Sequence, residues 1–154
     1  MSMPTYIGTK LVKATPMTRL DYNEYRGWQI PQDENGEDAG YLVEYLDGGQ
    51  PNHPAHAGYI SWSPAEPFAK AYRKTDGMTF GLALEALKAG QRLTRSGWNG
   101  KGMWLQHWKP MHDVDLPHIM LMYPVNSAAY PQGARVPWAP SQTDMLAEDW
   151  QIVS

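Results

Sequence analysis

Phe80, Ala83, Leu84 and Leu87 recur at i, i+3, i+4 and i+7, the spacing that lines one face of an α-helix. Thr79 stands where a side-chain cap for that helix belongs, and Gly90 stands where its C-terminus calls for a left-handed residue. Beyond Gly90 the period shortens. Arg92 to Arg95 and Met103 to Trp108 read as strands joined by Gly97-Trp98-Asn99-Gly100-Lys101-Gly102, a loop whose glycines admit positive φ. Ile119 to Tyr123 predicts a third strand and Arg135 to Trp138 the start of another. Ser141 to Glu148 predicts a helical turn, with Ser141 as cap and Asp144 three residues on, and Trp150 to Val153 a closing strand. The pattern is α+β: one helix packed on an antiparallel β-sheet.

The first half is less regular. Tyr6 to Val12 has a strand-like pattern, and Leu20 to Trp28 suits a short helix capped by Thr18. Pro31 to Gly40, PQDENGEDAG, is acidic and rich in turn formers, hence a surface loop. Tyr41 to Tyr45 and Gly58 to Trp62 predict strands, with a tight turn at Asp47-Gly48-Gly49. Ser63-Pro64 with Glu66 resembles a helix start, with Pro64 near the first helical position and Phe68, Ala69 and Tyr72 on one face. Arg73 to Gly77, polar and turn-forming, is the expected boundary between a small α+β N-terminal module, residues 1–77, and a second domain, residues 78–154.

Composition narrows the function classes. A chain of 154 residues holds one ordinary domain or two small ones, and 42% hydrophobic with 19% charged residues is globular. No apolar run approaches the roughly 20 residues of a membrane span, and the N-terminal residues lack the apolar segment of a signal peptide. The absence of cysteine excludes disulfides and zinc–thiolate sites and suits a reducing compartment, so a cytoplasmic location is expected. The net charge of −3 argues against binding nucleic-acid polymers. That charge lies in residues 1–77, with 7 Lys and Arg against 10 Asp and Glu; residues 78–154 carry 6 of each and accommodate an anion more readily. Seven Trp and 9 Tyr against 2 Phe suit either stacking on planar ligands or the filling of a small core.

Three ordered blocks carry a resemblance: Phe80 to Leu87 (FGLALEAL), Arg95 to Met103 (RSGWNGKGM) and Val136 to Trp150 (VPWAPSQTDMLAEDW). Together they resemble the second Thoeris anti-defence family, a phage domain long catalogued without a function. The resemblance implies a phage or prophage protein that sequesters glycocyclic ADP-ribose, the signal made by a bacterial TIR-domain enzyme, without catalysis or cofactor. It also implies a homotetramer built as a dimer of dimers, with ligand pockets between protomers. Cyclic oligonucleotides are further ligands in some members. The segment Lys109 to Leu116 is shorter than the insertion usual in the family, a departure at a place where the insertion could contact ligand or neighbouring protomers. Residues 1–77 lie outside the family domain, and their Tyr41 to Tyr72 stretch resembles a module recurring in phage proteins.

A cyclic ADP-ribose needs a stacking aromatic, partners for its hydroxyls and donors for its pyrophosphate. Trp98 projects from the glycine loop, and the family places a ligand-contacting aromatic at the matching position. Trp138 is a second stacking candidate; Phe80, which opens the first block, is a further ligand-binding candidate, and Trp150 suits the core. Asn99 either holds the turn or binds a ribose or base edge. Ser141 suits a cap whose neighbouring N–H groups face phosphate, while Gln142 and Asp144 suit ribose hydroxyls, Asp144 equally well as the capping partner of Ser141. Arg92, Arg95 and Lys101 are cations near the loop, either solvated or facing pyrophosphate. His53 and His56 have metal-ligand spacing, but Pro54 separates them and no carboxylate completes a sphere, so no metal is expected. Two other classes remain. One is a nucleotide-signal hydrolase using Asp144, Glu148 and Asp149 around a metal, or His118 as base; the other is a phage structural or protein-interaction module.

Overall fold

The computed structural model describes residues 2–154. Contacts between residues divide the chain into two compact units, one running to Tyr72 and the other spanning Arg73–Ser154.

In the first unit β1 (Val12–Pro16), β2 (Gly40–Tyr45) and β3 (Ile60–Pro64) form an antiparallel sheet with β2 central, accompanied by α1 (Arg19–Tyr25) and α2 (Ala65–Ala71). Alternation along β2 divides the two faces. Leu42 packs with Ile60, Tyr22 of α1, Met17 and Trp62, while Tyr41 stacks on Phe68 of α2 with ring centroids 4.1 Å apart. Thr18 caps α1 as its sequence predicts, its Oγ1 accepting from the Asp21 N–H at 3.1 Å. The helix stops at Tyr25 rather than running to Trp28, because Gly27 takes φ +72°. The expected strand at Tyr6 to Val12 begins only at Val12; Tyr6 and Ile7 are exposed, and pairing with β2 starts at Val12↔Tyr45. Pro64 is the residue before α2 rather than its first, and no side chain caps that helix.

The second unit contains α3 (Phe80–Lys88), β4 (Arg92–Arg95), β5 (Trp104–Trp108), β6 (His118–Tyr123), β7 (Ala134–Pro137), α4 (Gln142–Leu146) and β8 (Trp150–Val153). Its five strands are antiparallel, in the order β7-β6-β5-β4-β8. This is the α+β arrangement the hydrophobic pattern predicts. Thr79 Oγ1 accepts from the Leu82 N–H at 3.4 Å, and Gly90, at φ +94°, ends α3. The Gly90 N–H donates to the Leu87 carbonyl and the Gln91 N–H to the Ala86 carbonyl, the paired bonds of a Schellman motif. Ala83 and Leu87 of α3 lie on Leu93, Leu105 and Trp150, all buried. Because side chains alternate across a strand, Trp104, Gln106 and Trp108 of β5 occupy the face opposite Leu105 and remain half-buried.

Candidate functional site

Trp150, the first residue of β8, anchors the site. It is fully buried and exchanges two backbone hydrogen bonds with Met78, 2.8 and 3.1 Å, which ties the entry to α3 against the sheet edge. Three aromatic rings surround it: Phe80 at 5.6 Å, Trp98 at 5.5 Å and Trp138 at 6.0 Å between centroids, the two tryptophans edge-on to it. Phe80 and Trp138 also meet at 6.1 Å, and Trp98 and Trp138 at 6.4 Å. The three come from the first turn of α3, the loop after β4 and the residue after β7, where the Trp138 N–H donates to the Ile119 carbonyl at 2.9 Å. All three outer rings are half-buried, packed on the core yet reached by solvent.

One arginine organises the polar side. Arg95, at the end of β4, donates from Nε to Asp149 Oδ1 and from a terminal nitrogen to Asp144 Oδ1, both at 2.8 Å. Asp149 Oδ2 also accepts from the Gly97 N–H at 2.7 Å and from the Ser96 hydroxyl at 3.3 Å, fixing the start of the glycine loop. Asp144 accepts the Trp98 indole N–H at 3.0 Å and, through Oδ2, the Ser141 N–H at 3.0 Å; Ser141 Oγ accepts the Asp144 N–H in return, a complete capping box. Its backbone carbonyl accepts from the Trp150 indole at 3.0 Å. Partial burial pushes the Asp144 carboxyl up, but the Trp98, Ser141 and Arg95 donors together outweigh it and bring its pKa down to about 2. The hydrogen bond from Arg95 likewise holds Asp149 below the usual carboxylate range, and Asp149 in turn raises the Arg95 guanidinium.

The structure therefore gathers Phe80, Trp98, Trp138, Ser141 and Asp144 on one network, while Asn99 and Gln142 are exposed beside it, in the loop after Trp98 and at the first position of α4. Two expectations change. Trp98 does not project freely from the glycine loop but leans on Trp150 and hydrogen-bonds Asp144. Arg95 is not a solvated cation but the bridge between two carboxylates, and sequence reading gave Asp149 no role in it. The one sequence signal for that bridge is the register that sets Arg95 opposite Trp150, next to Asp149, and it depends on knowing that β4 pairs with β8. His53 and His56 lie in the first unit, where His56 bridges Glu44 at 2.9 Å and the Tyr25 hydroxyl at 2.8 Å; among the described residues no three His, Asp or Glu side chains are grouped to hold a metal. No helix among these residues is long and apolar enough to cross a membrane.

Residues 78–153, which include the whole aromatic and Arg95 network, match the model of the Thoeris anti-defense 2-like domain. The chain is also similar to Thoeris anti-defense 2 of Bacillus phage SP01, 36% identical over a 91-position alignment that covers 50% of this chain and 96% of that protein. With the family domain at residues 78–153 and nearly the full length of that relative covered, this protein belongs to the Thoeris anti-defense 2-like family.

Proposed function

We propose that this protein is a phage anti-defence sponge, acting in the cytoplasm of the infected bacterium, whose domain at residues 78–154 binds glycocyclic ADP-ribose made by a TIR-domain enzyme and withholds it unbroken. The observation that carries this reading is the group of half-exposed rings, Phe80, Trp98 and Trp138, rigidly seated on buried Trp150. Rings held in place before the ligand arrives stack on a base with little ordering cost. Beside them Asn99 and Gln142 present exposed amides for ribose hydroxyls, while Ser141 and Asp144, engaged with each other, orient α4 and Trp98 rather than compete for the ligand. The same group would accept the bases of cyclic oligonucleotides.

The hydrolase alternative loses support because Arg95 holds both Asp144 and Asp149, the carboxylates such a reaction would recruit. For the homotetramer, a dimer of dimers, support comes from the sheet face opposite Leu105, where Trp104, Trp108 and Met122 are only half-buried, the two tryptophans beneath Arg92 and Arg135, and a second protomer would complete their cover. Calorimetric titration with glycocyclic ADP-ribose tests the site. Asn99→Ala and Gln142→Ala, whose side chains are exposed, should keep the melting temperature and together lose about tenfold or more in affinity, as expected when hydrogen-bond partners of a bound ligand go missing. Unchanged affinity in that double variant and in Trp138→Ala would place the ligand elsewhere.

A further inference from the structure

The first unit contains an open cleft of about 550 Å³, bordered by α1, the segment after it and β3, and independent of the family domain. Its wall is built by the way α1 ends. Arg26 is the C-cap, Gly27 follows at φ +72°, the Gly27 N–H donates to the Glu24 carbonyl at 2.9 Å, and the Trp28 N–H donates to the Asn23 carbonyl at 2.8 Å. These are the bonds of a Schellman motif, and they fold Trp28 back onto Tyr22 of α1, with ring centroids 6.3 Å apart.

The Arg26 guanidinium is caught in this fold. It lies 4.2 Å over the Trp28 ring and 5.9 Å from the Tyr22 ring, and one terminal nitrogen donates to the Tyr22 hydroxyl at 3.0 Å. Among the described residues no carboxylate pairs with it. The other arginine of the cleft, Arg19, stacks on Trp62 at 4.4 Å but is balanced by Glu34 at 3.3 Å and Asp38 at 3.2 Å. A guanidinium has five donors in a planar fork. Arg26 gives one of them to the protein and is held with its ring stack already formed, which is how a guanidinium is prepared for an oxyanion. Two flat rings line the same cleft: Trp28, under Arg26, is 52% and Tyr59 46% exposed, high values for aromatics lining a cleft. The volume falls in the range of small-molecule sites, roughly 300–1,000 Å³.

We infer that this cleft is a second binding site, for a small oxyanion carrying a flat ring, of about mononucleotide size, with Arg26 gripping the phosphate or carboxylate and Trp28 and Tyr59 flanking the ring. Neither the family match nor the proposed sponge function involves these residues.

The test uses the full chain, with adenosine monophosphate and 2-naphthoate as probes for the two sources of oxyanion and adenosine and inorganic phosphate as controls, read by calorimetry and by the Trp28 indole N–H resonance. At least one probe should bind more tightly than either control and shift that resonance. Its affinity should fall about tenfold or more in Arg26→Gln and again in Trp28→Ala, and by less in Arg26→Lys, which keeps the charge but not the fork. Should Arg26→Gln not fold, Arg26→Lys and the Trp28 resonance carry the comparison. The inference is overturned if neither probe binds at millimolar concentration, if adenosine binds as well as its monophosphate, or if the variants bind as the parent does. A probe that shifts residues of the family domain and leaves Trp28 untouched overturns it too.

Discussion

Trp98 has two duties in one side chain, and its removal separates them poorly. Trp98→Ala removes an edge-on contact with Trp150 and a donor to Asp144, so it should cost about 3 kcal/mol of stability in addition to about ten- to hundredfold in signal affinity. Trp98→Phe keeps most of the packing and should lose less of both; a thermal melt and a titration on each variant check this, and full affinity in Trp98→Ala would remove it from the site. Asp144 supplies a pH signature. Its folded pKa of about 2 lies below the value near 4 of an unfolded aspartate, so its stabilisation is complete above about pH 4 and is lost as the pH falls toward 2. The melting temperature of the parent should drop through that window, and the drop should be shallower in Asp144→Asn; identical slopes would contradict the network. The aromatic members were legible in the sequence because tryptophans in glycine- and proline-bounded segments advertise themselves. The Arg95–Asp149 bridge was not legible, since the two residues are joined only by the pairing of β4 with β8.

Each element forms where local chemistry and tertiary pairing agree. Thr79, the i, i+3, i+4, i+7 stripe and Gly90 all specify α3, and the structure starts and ends it at those signals. Gly90→Ala should cost about 1–2 kcal/mol, because an alanine at φ +94° is strained even though open space surrounds it; a denaturant titration reads this, and a cost near zero would mean that the Schellman turn contributes nothing. The first half shows where local reading runs out. Tyr6 and Ile7 have the composition of a strand, yet a strand is made by its partner, and β2 offers partners only from Val12 onward. The same holds for Ser63, a good cap by type that lies inside β3, paired with Tyr41.

For the whole molecule, the division at Tyr72 and Arg73 bears on how the domain is cut. Ile152 of β8 donates to the Thr75 carbonyl at 3.0 Å, so a fragment beginning at Arg73 keeps a contact that one beginning at Met78 loses. The 73–154 fragment should bind the signal within a few-fold of the full chain, whereas a tenfold loss would bring the first unit into the site. Light scattering of the full chain at micromolar concentration should give the mass of four protomers; a monomer would contradict the tetramer, and a dimer would point to the short Lys109 to Leu116 segment. The sponge itself is tested most directly by fate of the ligand. Purified protein in molar excess is mixed with glycocyclic ADP-ribose, free ligand is quantified, the sample is heat-denatured, and the ligand is quantified again. A sponge makes free signal disappear on mixing and gives it back intact and in full after denaturation. Fragments after denaturation, or no depletion before it, would contradict it.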